Sequence, residues 1–248
     1  GRAAVGVPYD EDMNYAIIGA GGKGSRLSGP VVKQYRVLAG VPILTRTLRA
    51  FDDCEAVDRM VVVVPPADIA YVRDTIVAPA ALRKAIDVVA GGPRRQDSVC
   101  NGLAAVAPQT SLVVVHDAVR PLVACATITA CLDAAQRHGA CIAALPVWDT
   151  LKRISESGCI EATLPRERVW MAQTPQAFRV AILRRAHEHA RREAVAGTDD
   201  ASLVERTGTR VHIFPGSPRN IKITTPEDLA LAEALLALSE AVPDPGRR

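Results

Sequence analysis

The sequence predicts an α/β fold in which a mostly parallel sheet carries helices on both faces and a β-arm protrudes. Runs of β-branched residues, such as MVVVVPP at 60–66 and LVVVHDA at 112–118, are typical of strands buried on both faces of a parallel sheet. Segments with helical periodicity alternate with these runs, as they do in βαβα chains. Polar residues and glycines follow the strands, and ligands of such sheets bind outside the carboxyl ends of the strands. A ligand site is therefore expected at that edge.

Length, charge and cysteine content limit the classes of protein that fit. The 248 residues suit one large α/β domain, and a hydrophobic content of 48% is enough for a two-layer core. A net charge of +3 without a basic stripe argues against nucleic-acid binding. The six cysteines form no C-x-x-C pair, and no apolar run reaches the ~20 residues of a membrane helix. We therefore expect a soluble, cytoplasmic protein with reduced thiols and no membrane partner.

Three regions are expected: a disordered leader or cloning remnant at 1–13, a single domain at 14–240 and a C-terminal tail at 241–248. The first strand begins at Asn14 and runs into a glycine-rich loop. Pro42 is predicted at the first position of the next helix, because proline is favoured there. The following elements are predicted as strand 60–66, helix 68–78, strand 86–92, a helix beginning near Asp97 and Ser98, strand 112–118, helix 127–138 and strand 140–147.

The second half of the chain begins with shorter alternating segments. DTLKRIS and CIEATL flank a turn at 156–158, which predicts a β-hairpin arm at about 148–170. An isolated hairpin is marginal in water, so we expect the arm to pack against a second subunit. A helix at 179–193, a helix capped by Thr198 or Asp199, a strand at 211–216, a short strand at 220–224 and a closing helix follow. Thr225 is the expected cap of that last helix, with Pro226 at its first position.

The glycine-rich loop is a candidate phosphate site. Its spacing Gly19-x-Gly21-x-x-Gly24 is formally that of a dinucleotide fingerprint. However, residues 28–30 interrupt the helix that such a site needs, and MVVVVPP ends without the carboxylate that would bind a ribose. Residues 25–26 do not match a Walker A motif. A loop that wraps a polyphosphate fits better, with a plain solvated turn as the alternative. The cations at its margins are Lys23, Arg26 and Lys33.

Other strand ends supply further candidates. Asp117 beside a polyphosphate predicts a divalent cation, since bare anions repel, whereas a cap paired with Arg120 is the alternative. Ser98, after the Gly91-Gly92 turn, either caps the next helix or donates to a base. Lys222 alternates with isoleucines in NIKIT and therefore meets an anion or extends to solvent. The polar stretches at 149–152 and 173–176 are predicted as loops.

These candidates together favour one kind of chemistry. Cations from distant parts of the chain and one carboxylate are expected at one edge of the sheet, and no nucleophile with a partnered base stands out. The combination fits phosphoryl transfer by positioning and charge neutralisation, in which the substrate supplies the attacking group.

Eight motifs in this order carry a resemblance to a known family: GAGGKGSRL, KQY, AGGPRRQDSV, VHDAVRP, PVWDTLKR, MAQTPQAF, TDDASLVE and NIKITTPEDLALAEALL. From about Asn14 to Leu236 the chain resembles the 2-C-methyl-D-erythritol 4-phosphate cytidylyltransferases of the non-mevalonate isoprenoid pathway. The resemblance implies a Rossmann-like nucleotidyltransferase fold of the glycosyltransferase-A type, Mg²⁺, and a homodimer that exchanges the β-arm. It implies CMP transfer from CTP to methylerythritol phosphate, with release of pyrophosphate.

The resemblance also implies roles for individual residues. Arg26, Lys33 and Lys222 would be catalytic, and Asp117 would serve the Mg²⁺ site. Thr150, Arg166 and Thr198 would bind the sugar-alcohol phosphate, with Arg166 supplied by the arm of the partner subunit. The implied CTP-binding residues are Ala20, Gly21, Gly22, Gly24, Gly92, Arg95, Ser98 and Ala118.

The opening loop departs from the family pattern. The chain has Gly19-Ala20-Gly21-Gly22 where the family usually has Pro-Ala-Ala-Gly, and Val32 where it has proline. Extra glycine loosens a loop, so weaker apparent binding of CTP is expected. Ribitol-5-phosphate cytidylyltransferase, a non-catalytic nucleotide-binding module and a dinucleotide-dependent oxidoreductase are the alternatives.

Overall fold

The computed structural model describes residues 13–21 and 32–241, with side chains through residue 238. The predictions for Gly22, Gly24 and Arg26 lie outside the described residues. The strands of the central sheet are β1 Asn14–Gly19, β4 Arg59–Val64, β5 Ile86–Ala90, β6 Leu112–Asp117, β7 Ala140–Pro146, β10 Trp170–Arg179 and β11 His212–Pro215. The other strands form two hairpins, β2 Val37–Leu38 with β3 Val41–Pro42 and β8 Leu151–Ile154 with β9 Ile160–Leu164.

The α-helices follow the predicted alternation with strands. They are α1 Ile43–Asp52, α2 Ile69–Tyr71, α3 Ala78–Ala80, α4 Arg95–Ala105, α5 Cys125–His138, α6 Val180–Arg192, α7 Asp200–Glu205 and α8 Pro226–Ala241. The helix expected at 68–78 is irregular, because a 3₁₀ turn at Pro66–Asp68 and a π-helical turn at Val72–Val77 flank α2. Within the described part of the chain, none of the helices has the length and apolar character to cross a bilayer.

The seven strands of the sheet lie in the order β11-β7-β10-β6-β1-β4-β5. All neighbouring pairs are parallel except the two that β10 makes with β6 and β7. One face of the sheet packs with Leu48, Phe51 and Ile128, and the other packs with Leu103 and Leu183. Both faces are therefore covered by helices, which explains the uninterrupted β-branched runs. The predicted fold class is confirmed.

Local capping chemistry defines two of the helix starts near the candidate site. The Asp199 carboxylate accepts a hydrogen bond from the backbone N–H of Ser202 at 2.9 Å and caps α7. The Thr225 hydroxyl accepts from the N–H of Asp228 at 3.3 Å, and Pro226 is the first residue of α8. The sequence predicted both starts correctly, naming Asp199 as one of two possible caps.

Four local predictions are wrong. Pro42 does not open α1: it ends β3 and precedes the helix, because its backbone is extended, with ψ 139°. Residues 173–176 lie within β10 and not in a loop, because their polar side chains find buried partners: Gln176 donates to Asp199 and accepts from the N–H of Ala201. Residues 221–224 form no strand, although the N–H of Ile223 bonds to the carbonyl of Val119. Helix α4 begins at Arg95 rather than near Asp97, because Asp97 caps it from its third position through the N–H of Arg94.

Candidate active site

The candidate site lies at the carboxyl edge of the sheet, where β1 and β6 end together. Gly19 and Asp117 are paired in register on these two strands. Beyond them, the N–H of Ala118 bonds to the carbonyl of Gly19 at 3.0 Å, and the N–H of Ala20 bonds to Val63 at 2.8 Å. The start of the glycine-rich loop is therefore fixed beside Asp117, as the strand pattern predicted.

Three cations surround the Asp117 carboxylate. Lys222 Nζ lies 2.7 Å from Oδ2, Arg95 Nε lies 3.5 Å from Oδ1, and Arg120 Nε lies 3.8 Å from Oδ2. The Asp117 side chain is 13% exposed. Burial alone would raise the pKa of Asp117, but Lys222 and Arg95 outweigh it and hold the pKa well below its usual range. Asp117 is thus ionised at pH 7, and Arg120, one of its two predicted partners, lies beside it.

Backbone contacts place Lys222 opposite Asp117. Arg120 Nη1 donates to the carbonyl of Asn220 at 2.7 Å, and the N–H of Ile223 bonds to Val119 at 2.9 Å. These two bonds join the turn after β6 to the segment that carries Lys222. The Lys222 side chain is 41% exposed, so its ammonium faces both Asp117 and solvent. Both predicted alternatives are therefore present, since Lys222 contacts an anion, Asp117, and also extends to solvent.

Arg95 is shared between two carboxylates. Its Nη1 donates to Asp200 Oδ2 at 2.7 Å, while its Nε faces Asp117. Burial alone would lower the pKa of Arg95, but Asp200 and Asp117 together raise it above its ordinary value. His187 Nε2 lies 3.4 Å from the other oxygen of Asp200. Arg95 therefore links the end of β6 to the start of α7.

His116 supports the turn that carries Asp117. Its Nε2 lies 3.1 Å from the carbonyl oxygen of Arg120, which only accepts, so Nε2 carries the hydrogen. Its Nδ1 then accepts from the Thr174 hydroxyl at 3.0 Å, and that hydroxyl oxygen accepts from the N–H of Asp117 at 3.1 Å. Burial lowers the pKa of His116 to about 4, so the ring is neutral at pH 7. A fully buried neutral ring with both nitrogens bonded is a structural element and not a base for substrate.

The Gly91-Gly92 turn packs against Ser98. Ser98 Oγ accepts from the N–H of Gly92 at 3.1 Å, and a Cβ at Gly91 would lie 2.8 Å from the same oxygen. A Cβ at Gly92 would overlap Asp97. Glycine is required at both positions for this close approach. Ser98 Oγ would also lie 3.4 Å from a Cβ at Gly21, so this turn and the described start of the glycine-rich loop, Ala20 and Gly21, form two adjacent glycine walls.

The 3₁₀ turn Lys33–Tyr35 sits against the start of the glycine-rich loop. Gln34 is buried, and its Nε2 donates to the carbonyl of Ala20 at 2.7 Å. The Tyr35 hydroxyl donates to Asp68 at 2.8 Å, and burial together with Asp68 raises the pKa of Tyr35 above its usual value. These contacts fix the half-buried Lys33 near the carboxyl end of β1.

The three residues expected to bind a second substrate are not part of this cluster. Thr150 and Arg166 lie on the arm and are exposed, and Thr198 precedes the cap of α7. Within the part of the chain that the structure describes, neither Thr150 nor Arg166 hydrogen-bonds or ion-pairs with Asp117 or its partners. The structure therefore unites Arg95, Asp117 and Lys222 in one cluster and leaves the arm residues apart.

Sequence reasoning missed Asp200 and Asn220, which anchor that cluster. Asp200 follows Asp199 in TDDAS. The apolar residues Ala201 and Leu203, which are buried in the structure, were the signal in the sequence that one of the two aspartates faces inward. Asn220 begins NIKIT and is 1% exposed, but nothing in the local pattern marks an asparagine there as buried.

An ionised carboxylate, three cations and two glycine walls at the carboxyl edge of a doubly covered sheet define a Rossmann-like nucleotidyltransferase. Comparison with known proteins gives the particular family. The family model described as IspD: 2-C-methyl-D-erythritol 4-phosphate cytidylyltransferase matches residues 14–238. The chain belongs to this family, as its motifs suggested.

Individual relatives agree with the family match. The 2-C-methyl-D-erythritol 4-phosphate cytidylyltransferase of Syntrophus aciditrophicus is 48% identical over 225 residues, which cover 91% of this chain and 96% of that protein. The crystal structure of 4-diphosphocytidyl-2C-methyl-D-erythritol synthase from Anaerococcus prevotii superposes with a TM-score of 0.81 at 31% identity, covering 92% of this chain and 97% of that one. The cytidylyltransferase of Thermus thermophilus gives a TM-score of 0.73 at 36% identity, with coverage of 91% and 99%.

Proposed function

We infer that the protein is a cytidylyltransferase that transfers CMP from CTP to 2-C-methyl-D-erythritol 4-phosphate. The products are 4-diphosphocytidyl-2-C-methyl-D-erythritol and pyrophosphate. The observation that carries the inference is the Asp117–Lys222 ion pair at the carboxyl edge of the sheet, in a chain that matches this family over residues 14–238. The family match favours methylerythritol phosphate over ribitol 5-phosphate. It also favours an enzyme over a non-catalytic nucleotide-binding module or a dinucleotide-dependent oxidoreductase.

The reaction needs no nucleophile from the protein. A phosphate oxygen of methylerythritol phosphate attacks the α-phosphorus of CTP and forms a new P–O bond. The bond from the α-phosphorus to the β-phosphate oxygen breaks, and pyrophosphate leaves with that electron pair. The protein acts by aligning the two phosphates and stabilising the negative charge that develops between them.

We assign to Lys222 the role of stabilising that negative charge. Its backbone is tied to residues 119–120, whereas its side chain is partly exposed, so the ammonium can move from Asp117 to a phosphate oxygen without rearranging the segment. We assign the β- and γ-phosphates to Arg26 and Lys33. The 3₁₀ turn that carries Lys33 is held against Ala20 by the Gln34 side chain, which supports the part of Lys33 in this assignment.

The cytosine and ribose of CTP are assigned to the two glycine walls. The close approach of Ser98 to both Gly21 and Gly92 supports a single pocket between these walls. Flat ligands can lie against such backbone because no Cβ intervenes. The residues of this proposed pocket are Ala20, Gly21, Gly22, Gly24, Gly92, Arg95, Ser98 and Ala118.

Asp117 is suited to serve a Mg²⁺ ion. In the described residues, no group of three or more His, Cys, Asp or Glu side chains is placed to hold a metal. A single ionised carboxylate nevertheless fits Mg²⁺, which commonly takes one or two carboxylates and fills its other positions with substrate phosphates and water. When bound, the ion would neutralise charge on the triphosphate. Asp117 would hold it as Lys222 turns to the α-phosphate.

The arm supports a proposal of homodimerisation. Ile154 and Ile160 are paired in register near its tip, and they are 60% and 64% exposed. Trp148 and Met171, at the base of the arm, are also exposed. Apolar surface on a projecting hairpin is typical of a surface that packs against another subunit. In such a dimer Arg166 of one arm would join Thr150 and Thr198 in binding the sugar-alcohol phosphate.

A pyrophosphate-release assay with CTP held fixed tests the proposed function. We expect turnover with methylerythritol phosphate and little with ribitol 5-phosphate at equal concentration. Turnover with ribitol 5-phosphate alone would assign the protein to the other cytidylyltransferase activity. Binding of NAD but not CTP in calorimetry would contradict both assignments.

A further inference from the structure

Asp200 is a fully buried carboxylate with an arginine as its principal partner. The side chain is 0% exposed, and it sits at the first position of α7, immediately after the capping residue Asp199. Its Oδ2 accepts from Arg95 Nη1 at 2.7 Å. The neighbouring His187 is 3.4 Å from Oδ1 without hydrogen-bond geometry. A buried charge of this kind requires a compensating partner, and Arg95 supplies it.

Arg95 occupies a position where a cation needs such support. It is the first residue of α4, where the helix dipole disfavours positive charge. Its guanidinium is planar and rigid, so a carboxylate held on Nη1 also fixes the direction of Nε. Nε points to Asp117 Oδ1, which lies 3.5 Å away. The long contact to Asp117 is consistent with Asp200 holding the shorter and stronger bond.

We propose that Asp200 is a positioning residue of the CTP site: its buried carboxylate holds Arg95 at a fixed distance from Asp117. The proposal rests on the proposed function of this edge as a CTP site. Asp200 acts through Arg95 and touches no substrate itself. Asp200 lies two residues after Thr198, which is proposed to bind the sugar-alcohol phosphate. The contact between Asp200 and Arg95 therefore also connects the segment of Thr198 to the proposed CTP site.

Loss of the Asp200 charge has a specific consequence. Arg95 would then have Asp117 as its remaining carboxylate and would be drawn into a full ion pair with it. Asp117 would become less available to Lys222 and to the cation that accompanies CTP. The expected effect is weaker CTP binding with the overall fold retained.

The experiment is a double-mutant cycle on Asp200→Asn and Arg95→Ala, read by calorimetric titration of CTP with Mg²⁺. Asp200→Asn keeps the shape of the side chain and removes its charge. We expect about a tenfold loss of CTP affinity in the wild-type background and almost none in the Arg95→Ala background, since coupled residues are non-additive. Steady-state kinetics should show a raised KM for CTP and a smaller change in kcat.

Asp52→Asn is the matched control. Asp52 is another buried carboxylate paired with an arginine, Arg83, but it lies at the opposite edge of the sheet, where the chain enters β5. The Asp52→Asn substitution should lower stability to urea, as Asp200→Asn should. Unlike Asp200→Asn, it should leave CTP affinity unchanged. The comparison separates positioning from a general loss of stability.

Two outcomes would overturn the proposal: Asp200→Asn binds CTP as the wild type does, or it loses the same factor in both backgrounds. If Asp200→Asn does not fold, Arg95→Lys provides the test, because a lysine cannot span both carboxylates. Wild-type affinity in Arg95→Lys would refute the positioning role. The proposed function fails separately, through absence of turnover in wild-type protein that still binds CTP.

Discussion

The ammonium group of Lys222 lies 2.7 Å from the carboxylate of Asp117, although the two residues are far apart along the chain. The two side chains therefore form a direct ion pair. In the proposed function the nucleotide separates this pair: its phosphates bind Lys222, and the accompanying cation binds Asp117. This relationship makes the two residues separately testable.

We expect Lys222→Met to lower kcat by about 10²–10³-fold, the usual effect of removing one group that stabilises transition-state charge. Methionine keeps most of the length of the side chain and removes its charge. The loss should appear in kcat more than in the KM for CTP, because the charge develops during the reaction. Pyrophosphate release under saturating substrates measures it.

Arg219→Met is the control for Lys222→Met. Arg219 is an exposed cation three residues earlier that donates to the carbonyl of Leu235 on α8. Its loss should leave kcat within about twofold, as for most surface substitutions. Equal losses in the two variants would refute a specific role for Lys222.

The acid sensitivity of folding should depend on Asp52. Burial would raise its pKa, but the N–H groups of Lys84 and Arg83 and the Arg83 side chain lower it below its ordinary value. A carboxylate with a lowered folded-state pKa stabilises the fold above the unfolded pKa of about 4, and this stabilisation is lost as the pH falls below it. We expect Asp52→Asn to reduce the free energy of unfolding by about 1–3 kcal/mol at pH 7.

Urea unfolding at pH 7, 5 and 3.5 checks the Asp52 prediction. The difference between wild type and variant should stay constant from pH 7 to 5 and shrink toward pH 3.5. A difference that is the same at all three values would show that the charge of Asp52 makes no contribution.

Gly102→Ala should destabilise the protein although alanine is the better helix former. Gly102 lies in α4, and a Cβ there would lie 2.7 Å from Ile17 Cγ2 and 3.0 Å from Val63 Cγ2 on the sheet. Overpacking of this kind costs about 1–3 kcal/mol, more than the ~1 kcal/mol gained in helix propensity. Urea midpoints of the two proteins measure the balance, and a more stable variant would contradict the packing described for α4.

Disruption of the arm should dissociate the proposed homodimer. Ile154→Asp with Ile160→Asp places two charges on the apolar pair near the tip. We expect light scattering to change from dimer to monomer mass, with loss of turnover because Arg166 would no longer reach a partner site. Glu161→Ala, which removes only the exposed pair with Arg153, is the control. A wild-type protein that is monomeric would end the dimer proposal.

Local sequence was sufficient to predict most of the strands and helices and part of the candidate site. The β-branched runs of β4 and β6 specify strands buried on both faces, and the caps of α7 and α8 follow from side chains a few residues away. The glycines before α4 and the carboxylate that ends β6 were correctly placed at one edge, because the carboxyl ends of parallel strands coincide. These features depend on interactions within a short stretch of chain.

Tertiary structure alone decided the features that join distant segments. Strand β10 inserts antiparallel between β6 and β7, so Thr174 and Gln176 become buried partners of other elements, a change no local pattern can indicate. Residues 221–224 alternate like a strand but bond to a turn, because the sheet offers them no free edge there. The pairing of Arg95 with Asp200, and of Asp117 with Lys222, arises because the fold brings their segments together at one edge. Sequence thus determined which groups are present, and packing determined which charges meet.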